Sequence, residues 1–234
     1  MDGQTRNNIA LVSKKLYAKE KMVRDYYSLY DRIVPNKKIL EIDVNYKHSS
    51  TGQIVYDIYS ASEKYNKEVA VCYGRGKLYR EKNVFKFGID IETYMHAVLS
   101  RVTGYNGCFS FFSTKRLIKY IEDFQPDIIH THSSKAGAIG RFMFSGKCEK
   151  VLYTPHGYSF LMENCNPTKR RVFKLIESVC AKRNCTTISC SVGEHQETLK
   201  LTKNAAYVNN GINMKELQEI VNQTEKVAHP FTVF

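Results

Sequence analysis

Two segments rich in polar and small residues carry the side chains of this chain that are best suited to chemistry. Residues 130–141 follow the apolar pair Ile128-Ile129, and residues 154–157 follow the apolar run at 151–153. Polar groups at the carboxyl end of a strand, ahead of a helix, mark where open α/β sheets bind ligands. Backbone N–H groups at the start of such a helix favour phosphate. Together the segments predict one cleft for a polar, phosphorylated substrate.

His156 is the residue for which we expect a direct part in the chemistry. Pro155 stiffens its loop, and Gly157 permits an unusual backbone angle. The imidazole would then stand at the end of a strand, where it can hydrogen-bond a sugar hydroxyl or a phosphate, or transfer a proton. The alternative is a loop histidine bonded to backbone.

The first segment combines two histidines with residues that suit the start of a helix. We expect His130 and His132 to take opposite faces of the strand, one toward the sheet and one toward the cleft. Ser133 or Ser134 is expected to cap the helix that follows, and Lys135 places a cation near its first turn. The alternative is a close helix–sheet contact with a satisfied histidine, because the two glycines of this segment weaken a helix unless packing compensates.

Two further strand ends are polar. Ser49 to Gln53 contains Gly52, whose small size lets backbone approach a ligand, although an ordinary helix N-cap explains the same residues. Asn210-Gly211 is a tight-turn signal. The spacing of cysteines and histidines indicates no metal-ligand cluster, and no Walker loop or nucleophile elbow is visible.

Apolar patterns separated by turn signals predict the elements that must position these residues. Strands are expected at 38–44, 68–73, 84–87, 127–130, 150–153, 186–190, 205–208 and 231–234. Helices are expected at 54–65, 92–102, 113–124 and 172–180. Two more are expected, one that follows Ser133 or Ser134 and runs to about residue 144, and one after a capping box at 191–194. The alternation predicts an α/β fold: a Rossmann-like, doubly wound parallel sheet with helices on both faces and right-handed crossovers.

Composition restricts the partners and the compartment. The chain has 234 residues, is 43% hydrophobic and carries a formal charge of +12, which suggests an anionic partner, with a solvated basic surface as the alternative. No apolar run reaches the length of a membrane span, and no signal peptide is visible. Seven cysteines, an odd number, indicate free thiols. We therefore expect a cytoplasmic protein.

The expected organisation has three parts. Residues 1–36 form a basic, tyrosine-rich helical extension, residues 37–213 form the Rossmann-like domain, and residues 214–234 begin a linker helix. Within 1–36, a helix packed on the domain, an irrelevant extension and an amphipathic helix that touches membrane are the alternatives.

The middle of the chain resembles the N-terminal domain of bacterial glycosyltransferase family four enzymes, which have the GT-B fold and build capsule, exopolysaccharide or lipopolysaccharide. The resemblance covers about residues 38–213 and rests on five motifs in order: STGQ, PDIIHTHSSKAGAIGR, YTPHGYSF, TTISCSVGEH and VNNGIN. Residues 1–36 have no counterpart in this resemblance.

The resemblance implies a set of site residues. His156 is the implied catalytic residue, which hydrogen-bonds the donor sugar rather than a metal. The implied substrate-binding residues are Gly52, Gln53, His132, Ser134, Lys135, Gly157, Asn210 and Gly211. Gly52 and Gln53 would approach the donor phosphates, and His132 with Ser134-Lys135 would lie on the acceptor side.

The resemblance also implies an activity. Such an enzyme transfers a sugar from a nucleotide-sugar donor, with retention, to a lipid-linked or polysaccharide acceptor, without a metal or other cofactor. We expect a donor-binding second domain to be missing from this chain, and a peripheral position on an anionic membrane surface. The alternative is a truncated, non-catalytic remnant or interaction module. Nucleic acid is not expected as a partner, because most of the sixteen tyrosines sit inside strand and helix patterns.

Overall fold

A single parallel sheet of seven strands organises the protein. The computed structural model describes residues 11–35, 38–89, 111–144, 146–216 and 219. The strands are β1 (Ile39–Asn45), β2 (Val69–Arg75), β3 (Val84–Lys86), β4 (Ile128–His132), β5 (Lys150–Thr154), β6 (Cys185–Ser189) and β7 (Ala205–Tyr207). They pair in the order β3-β2-β1-β4-β5-β6-β7, with every pair parallel.

Helices lie on both faces of this sheet. They are α1 (Lys19–Ile33), α2 (Ser50–Ser60), α3 (Phe111–Phe124), α4 (Ser133–Met143), α5 (Pro167–Cys180) and α6 (Val192–Leu201). Apolar residues of α1 and α2 share one core cluster with Ile39 and Ile128, whereas α3 and α4 share another with Leu40 and Ile129. The predicted doubly wound α/β fold is confirmed; the helix predicted at 92–102 and the strand at 231–234 lie outside the described residues. Among the described helices, none is long and apolar enough to cross a bilayer.

The strand order places the cleft. β1 continues to β2 and β3 on one side, whereas β4 continues to β5, β6 and β7 on the other. In such a sheet the crevice for ligands opens at the carboxyl ends of the two strands where the order reverses, here β1 and β4. The loops after β1, β4 and β5 are therefore neighbours at this edge.

Helix α1 is packed into the domain. Tyr26, Tyr27 and Tyr30 are buried in the core that α1 shares with α2 and the sheet. The Tyr27 hydroxyl donates to the carbonyl of Ile58 over 2.7 Å. Of the three alternatives for residues 1–36, the structure shows the packed helix for Lys19–Ile33; residues 1–10 lie outside the described part of the chain.

Helix α4 approaches the sheet closely because it carries glycine at two contact positions. A Cβ atom on Gly137 would lie 2.1 Å from the ring of Tyr153, and one on Gly140 would lie 2.4 Å from Cγ2 of Thr131. These distances are far inside van der Waals contact, so α4 can take this position only without those side chains. The close helix–sheet contact weighed as an alternative in the sequence is thus present.

The glycine contact predicts the effect of a single methyl group. Gly137→Ala should lower the free energy of unfolding by about 1–3 kcal/mol, since overpacking forces the helix or Tyr153 to move. Gly193→Ala is the matched control, because no atom lies within 4 Å of its added methyl group, and alanine in α6 should stabilise by up to about 1 kcal/mol. Urea denaturation measures both. Equal stability of the two variants would contradict the close contact.

Candidate functional site

A buried hydrogen-bonded network lies where β1 and β4 meet. Glu41 stands in the middle of β1, and its partner in register on β4 is His130. The Glu41 carboxylate oxygen Oε2 lies 2.7 Å from Nε2 of His132 and 3.1 Å from Nδ1 of His130. All three side chains are fully buried, so this pairing is shielded from water.

Two hydroxyl groups extend the network. The Tyr30 hydroxyl of α1 donates to Oε1 of Glu41 over 2.7 Å and lies 2.8 Å from Nδ1 of His130. On the other side, Nε2 of His130 lies 2.9 Å from the hydroxyl of Thr154 at the end of β5. One helix and three neighbouring strands are therefore joined through polar side chains.

The expectation that His130 and His132 take opposite faces is wrong. Their ring centroids lie 4.0 Å apart, and both rings contact Glu41. Side chains alternate along a strand with a period of two, so residues two apart share a face. Both histidines therefore point toward the layer that contains α1.

His156 completes the network at the edge of the sheet. Its Nε2 lies 2.9 Å from Nδ1 of His132, and it is only partly buried. Its φ of 53° and that of Gly157, 98°, place the loop in the left-handed region, which histidine adopts more readily than most residues. Burial, and then the neighbouring imidazoles of His132 and His130, lower the pKa of His156 to about 2, so its ring is neutral.

The network holds one negative charge. Burial by itself would raise the pKa of Glu41, but the charge and hydrogen bonds of His130, followed by those of His132, outweigh it and keep that pKa below its ordinary range. Burial, and then His130, lower the pKa of His132 in spite of the nearby Glu41 carboxylate. The arrangement is thus an ionised carboxylate that accepts a hydrogen bond from the neutral imidazole of His132.

Three of these side chains are also of metal-ligating type. Donor atoms of Glu41, His130 and His132 lie within 4.8 Å of one another. The sequence showed no metal-ligand spacing, because the three residues come from two strands far apart in the chain. Each of these side chains already has hydrogen-bond partners within the network, so proton sharing accounts for the cluster.

The loop after β1 is an ordinary helix cap. The Ser49 hydroxyl accepts from the backbone N–H of Gly52 over 2.9 Å, which confirms the N-cap alternative. A Cβ on Gly52 would lie 2.9 Å from the carbonyl oxygen of Asn45, so the first turn of α2 lies tight against the end of β1. The exposed Gln53 donates to Asp57 over 3.1 Å. Roles of Gly52 and Gln53 toward donor phosphates stay predictions.

The start of α4 differs from its predicted cap. The helix begins directly after His132, which makes no side-chain cap, so neither serine caps it. The Ser133 hydroxyl is buried and has no hydrogen-bond partner among the described residues, and its backbone has φ 69°. The Ser134 hydroxyl lies 3.2 Å from that of Ser159. The side chain of Lys135 lies outside the described part of the structure.

Glu194 clamps the loops after β5 and β6. It follows Ser191, which caps α6 as predicted. Its carboxylate, however, accepts from the backbone N–H groups of Gly157 and Cys190, each over 2.7 Å. The Cys190 thiol donates to the same carboxylate, and burial followed by that contact raises the pKa of Cys190 to about 12. Glu194 thereby holds the backbone next to His156.

Asn210 and Gly211 lie beside the loop after β6, where the backbone N–H of Asn210 donates to the carbonyl of Cys190 over 3.4 Å. They follow β7, two strands beyond β5. A Cβ on Gly211 would lie 2.6 Å from Cα of Lys19, and the Ile212 carbonyl accepts from the N–H of Lys19 over 3.0 Å. The glycine here permits contact with α1; a substrate role for Asn210-Gly211 stays a prediction.

Sequence reasoning found His130, His132 and His156 but missed their supports, Glu41 and Tyr30. One signal was available: Glu41 is a charge inside the apolar run Ile39–Val44, which becomes a strand buried almost throughout. A charge in such a position requires buried partners. Nothing in the sequence indicated which residues these were.

The fold is that of a glycosyltransferase domain of the GT-B class. The structure superposes on sucrose-phosphate synthase from Thermosynechococcus elongatus with a TM-score of 0.55 at 13% identity, over 82% of this chain and 54% of that one. This likeness concerns the fold.

The chain belongs to Glycosyltransferase Family 4, whose family model matches residues 53–216. It is also 38% identical over 85 residues to an uncharacterised 41.2 kDa protein in the cps region of Klebsiella pneumoniae, which covers 34% of this chain and 24% of that protein. The chain therefore spans about a quarter of that relative and about half of the solved structure. Tyr30 and Glu41 precede the matched region.

The neutral histidines predict how stability depends on pH. Unfolded histidines bind protons below about pH 6.5, whereas the lowered pKa values of His132 and His156 keep both rings neutral in the folded state. The unfolded state thus binds more protons, so the free energy of unfolding should fall as the pH drops below about 6.5, by up to about 1.4 kcal/mol per pH unit for each histidine.

Urea denaturation between pH 7 and pH 5 measures this slope. In the His156→Asn variant, asparagine tolerates the positive φ. The slope of unfolding free energy against pH should then fall by the contribution of one proton, about 1.4 kcal/mol per pH unit at most. A slope unchanged by His156→Asn would show that His156 titrates normally in the folded protein.

Proposed function

We propose that this chain is the acceptor-side part of a retaining glycosyltransferase that uses a nucleotide-sugar donor. The observation that carries the proposal is His156, a neutral imidazole in the loop after β5, which a buried network fixes beside the crevice between β1 and β4. In the reaction, the bond between the anomeric carbon and the diphosphate oxygen breaks. A new bond forms to an acceptor hydroxyl oxygen, whose proton passes to the departing diphosphate.

His156 would hydrogen-bond the donor sugar. A neutral ring suits this role because it can hydrogen-bond an uncharged hydroxyl group and carries no positive charge that would attract the diphosphate instead. Gly52, at the tight first turn of α2, and Gln53 would face the donor phosphates, where the helix N-terminus favours negative charge. Ser134 and Lys135 would serve the acceptor. A second, donor-binding domain would supply the other half of the cleft.

The acceptor would be a lipid-linked sugar or a growing polysaccharide. Its support is the relative in the cps region, which points to the synthesis of a surface polysaccharide. No metal or other cofactor is required in this proposal, because the buried carboxylate and imidazoles satisfy one another.

Removal of the His156 imidazole should impair transfer. In the complete polypeptide encoded by the gene, His156→Asn should reduce transfer about fivefold to a hundredfold, since a sugar hydroxyl that loses its acceptor costs about 1–3 kcal/mol. The assay offers radiolabelled nucleotide sugars, among them UDP-glucose, UDP-galactose and GDP-mannose, to membranes that contain the acceptor. The control is His195→Asn, which removes an imidazole outside the network.

Three outcomes would contradict parts of this proposal. Equal rates for His156→Asn and wild type would remove His156 from the reaction. Loss of transfer after dialysis against EDTA, with recovery on adding a divalent metal, would overturn metal independence. No transfer from any donor by the complete polypeptide would favour the non-catalytic alternative.

Helix α5 offers a surface for an anionic membrane. Its residues Val172, Leu175, Ile176 and Val179 are all exposed, with the spacing of a single helical stripe. The flanks of this stripe are basic: Lys169 and Arg171 are exposed on either side of it. An apolar stripe bordered by lysine and arginine suits a helix that lies in the headgroup region. We propose that α5 holds the protein at the inner face of the cell membrane, next to its lipid-linked acceptor.

Flotation with liposomes tests this surface. Leu175→Glu should abolish recovery with vesicles of phosphatidylglycerol and phosphatidylcholine, because it places a charge in the apolar stripe. Leu78→Glu is the matched control, since Leu175 and Leu78 are 64% and 66% exposed. Arg171→Glu should weaken binding by about 2 kcal/mol, as two charge units change near the surface. Equal recovery with neutral and anionic vesicles would reject the membrane surface.

A further inference from the structure

The contacts around Glu41 determine where the proton of His130 sits. Glu41 is ionised, so both of its oxygens can only accept. The single proton of the Tyr30 hydroxyl goes to Oε1, since otherwise two oxygens would face each other at 2.7 Å without a proton between them. Tyr30 can then only accept from His130 across their 2.8 Å contact. Nδ1 of His130 therefore carries a proton.

The second branch runs to His156. Nε2 of His132 lies 2.7 Å from the other oxygen of Glu41, so it donates. A neutral imidazole has only one N–H, and Nδ1 of His132 is therefore an acceptor. His156 must donate to it from Nε2, across 2.9 Å. Nδ1 of His156 is left without a proton.

We infer that Glu41 is a positioning residue that sets the tautomer of His156 through His132, so that His156 offers Nδ1 to the ligand as a hydrogen-bond acceptor. Within the described residues, Nδ1 of His156 has no hydrogen-bond partner, and the side chain is only partly buried. This nitrogen can bind a hydrogen-bond donor such as a hydroxyl group. It can form no hydrogen bond with an ionised phosphate oxygen, which is also an acceptor. That the hydroxyl belongs to a sugar rests on the proposed function; the tautomer does not.

Glu41 suits this task because of its place in the fold. It contacts neither the cleft nor bulk water, and it acts on His156 only through one intervening imidazole. A buried carboxylate that accepts from an imidazole N–H is a known means of holding a histidine in one tautomer. Tyr30 occupies the second oxygen, so the carboxylate cannot turn away from His132 without losing that bond.

Nitrogen NMR of the complete polypeptide, labelled with ¹⁵N-histidine, tests the arrangement. Long-range proton–nitrogen spectra distinguish protonated from bare ring nitrogens. We expect Nε2 protonated and Nδ1 bare in His156 and His132, and Nδ1 protonated in His130. Single histidine substitutions assign the signals. A proton on Nδ1 of His156 in the wild-type protein would overturn the inference, whether or not any variant folds.

Glu41→Gln should rearrange the protons of the network, because the amide has only one accepting oxygen. With that oxygen toward Tyr30 and the NH₂ toward His132, His132 accepts at Nε2 and donates from Nδ1 to His156, which becomes protonated at its own Nδ1. With the amide turned, His132 still donates to the oxygen and His156 keeps its tautomer, but Tyr30 must donate to Nδ1 of His130, whose proton moves to Nε2. Wild-type tautomers at both His156 and His130 in a folded Glu41→Gln variant would refute the positioning role.

Tyr30→Phe is the matched control, because it removes an equally buried group from the network but keeps the carboxylate. His156 should keep its wild-type tautomer in this variant. Transfer at low donor concentration should fall about tenfold or more in Glu41→Gln when the spectra show His156 protonated at Nδ1, as for other loss of a positioning partner, and by less in Tyr30→Phe. If the tautomers are as expected but no nucleotide sugar is used, the proposed function fails alone. If transfer occurs while His156 carries its proton on Nδ1, the positioning inference fails alone.

Discussion

The site depends on one buried negative charge, the carboxylate of Glu41. An unpaired carboxylate in the middle of a sheet covered on both faces would cost many kcal/mol. The protein avoids this cost by supplying hydrogen-bond donors from α1 and β4, namely Tyr30, His130 and His132. Each donor then has a fixed position and a fixed ring or hydroxyl proton, and His132 in turn fixes the position of His156. The arrangement of the histidines therefore follows from the need to satisfy one charge.

The rest of the edge is built by backbone contacts that tolerate little change. Glu194 joins the loops after β5 and β6 through two backbone N–H groups, and glycines bring α4 against the sheet. His156 is thus fixed from two sides, by an imidazole and by its own loop. A fixed group in a cleft loses little entropy when a ligand arrives, which favours binding.

The sequence was sufficient for the fold and for part of the site. Strand and helix patterns are local, and they predicted the alternating elements and the two strand ends that carry His132 and His156. The hydrogen bond between Glu41 and His132 joins residues 91 positions apart in the sequence, and no local sequence pattern encodes a contact between such distant residues. The wrong prediction for His130 and His132 had another origin: residues two apart on a strand were assigned to opposite faces, whereas they share a face. Neither serine caps α4, because the helix begins at Ser133, one residue before the start that a Ser133 cap would give and two before the start that a Ser134 cap would give.

The hydrogen bond between Tyr30 and His130 joins residues 100 positions apart. During synthesis, α1 leaves the ribosome long before β4 exists, with tyrosines that have no core to enter. Contacts of such sequence separation form late, because closing long loops is entropically costly. Helix α1 is consequently among the last elements to be completed, and the histidine site is assembled only when Tyr30 meets His130 on β4.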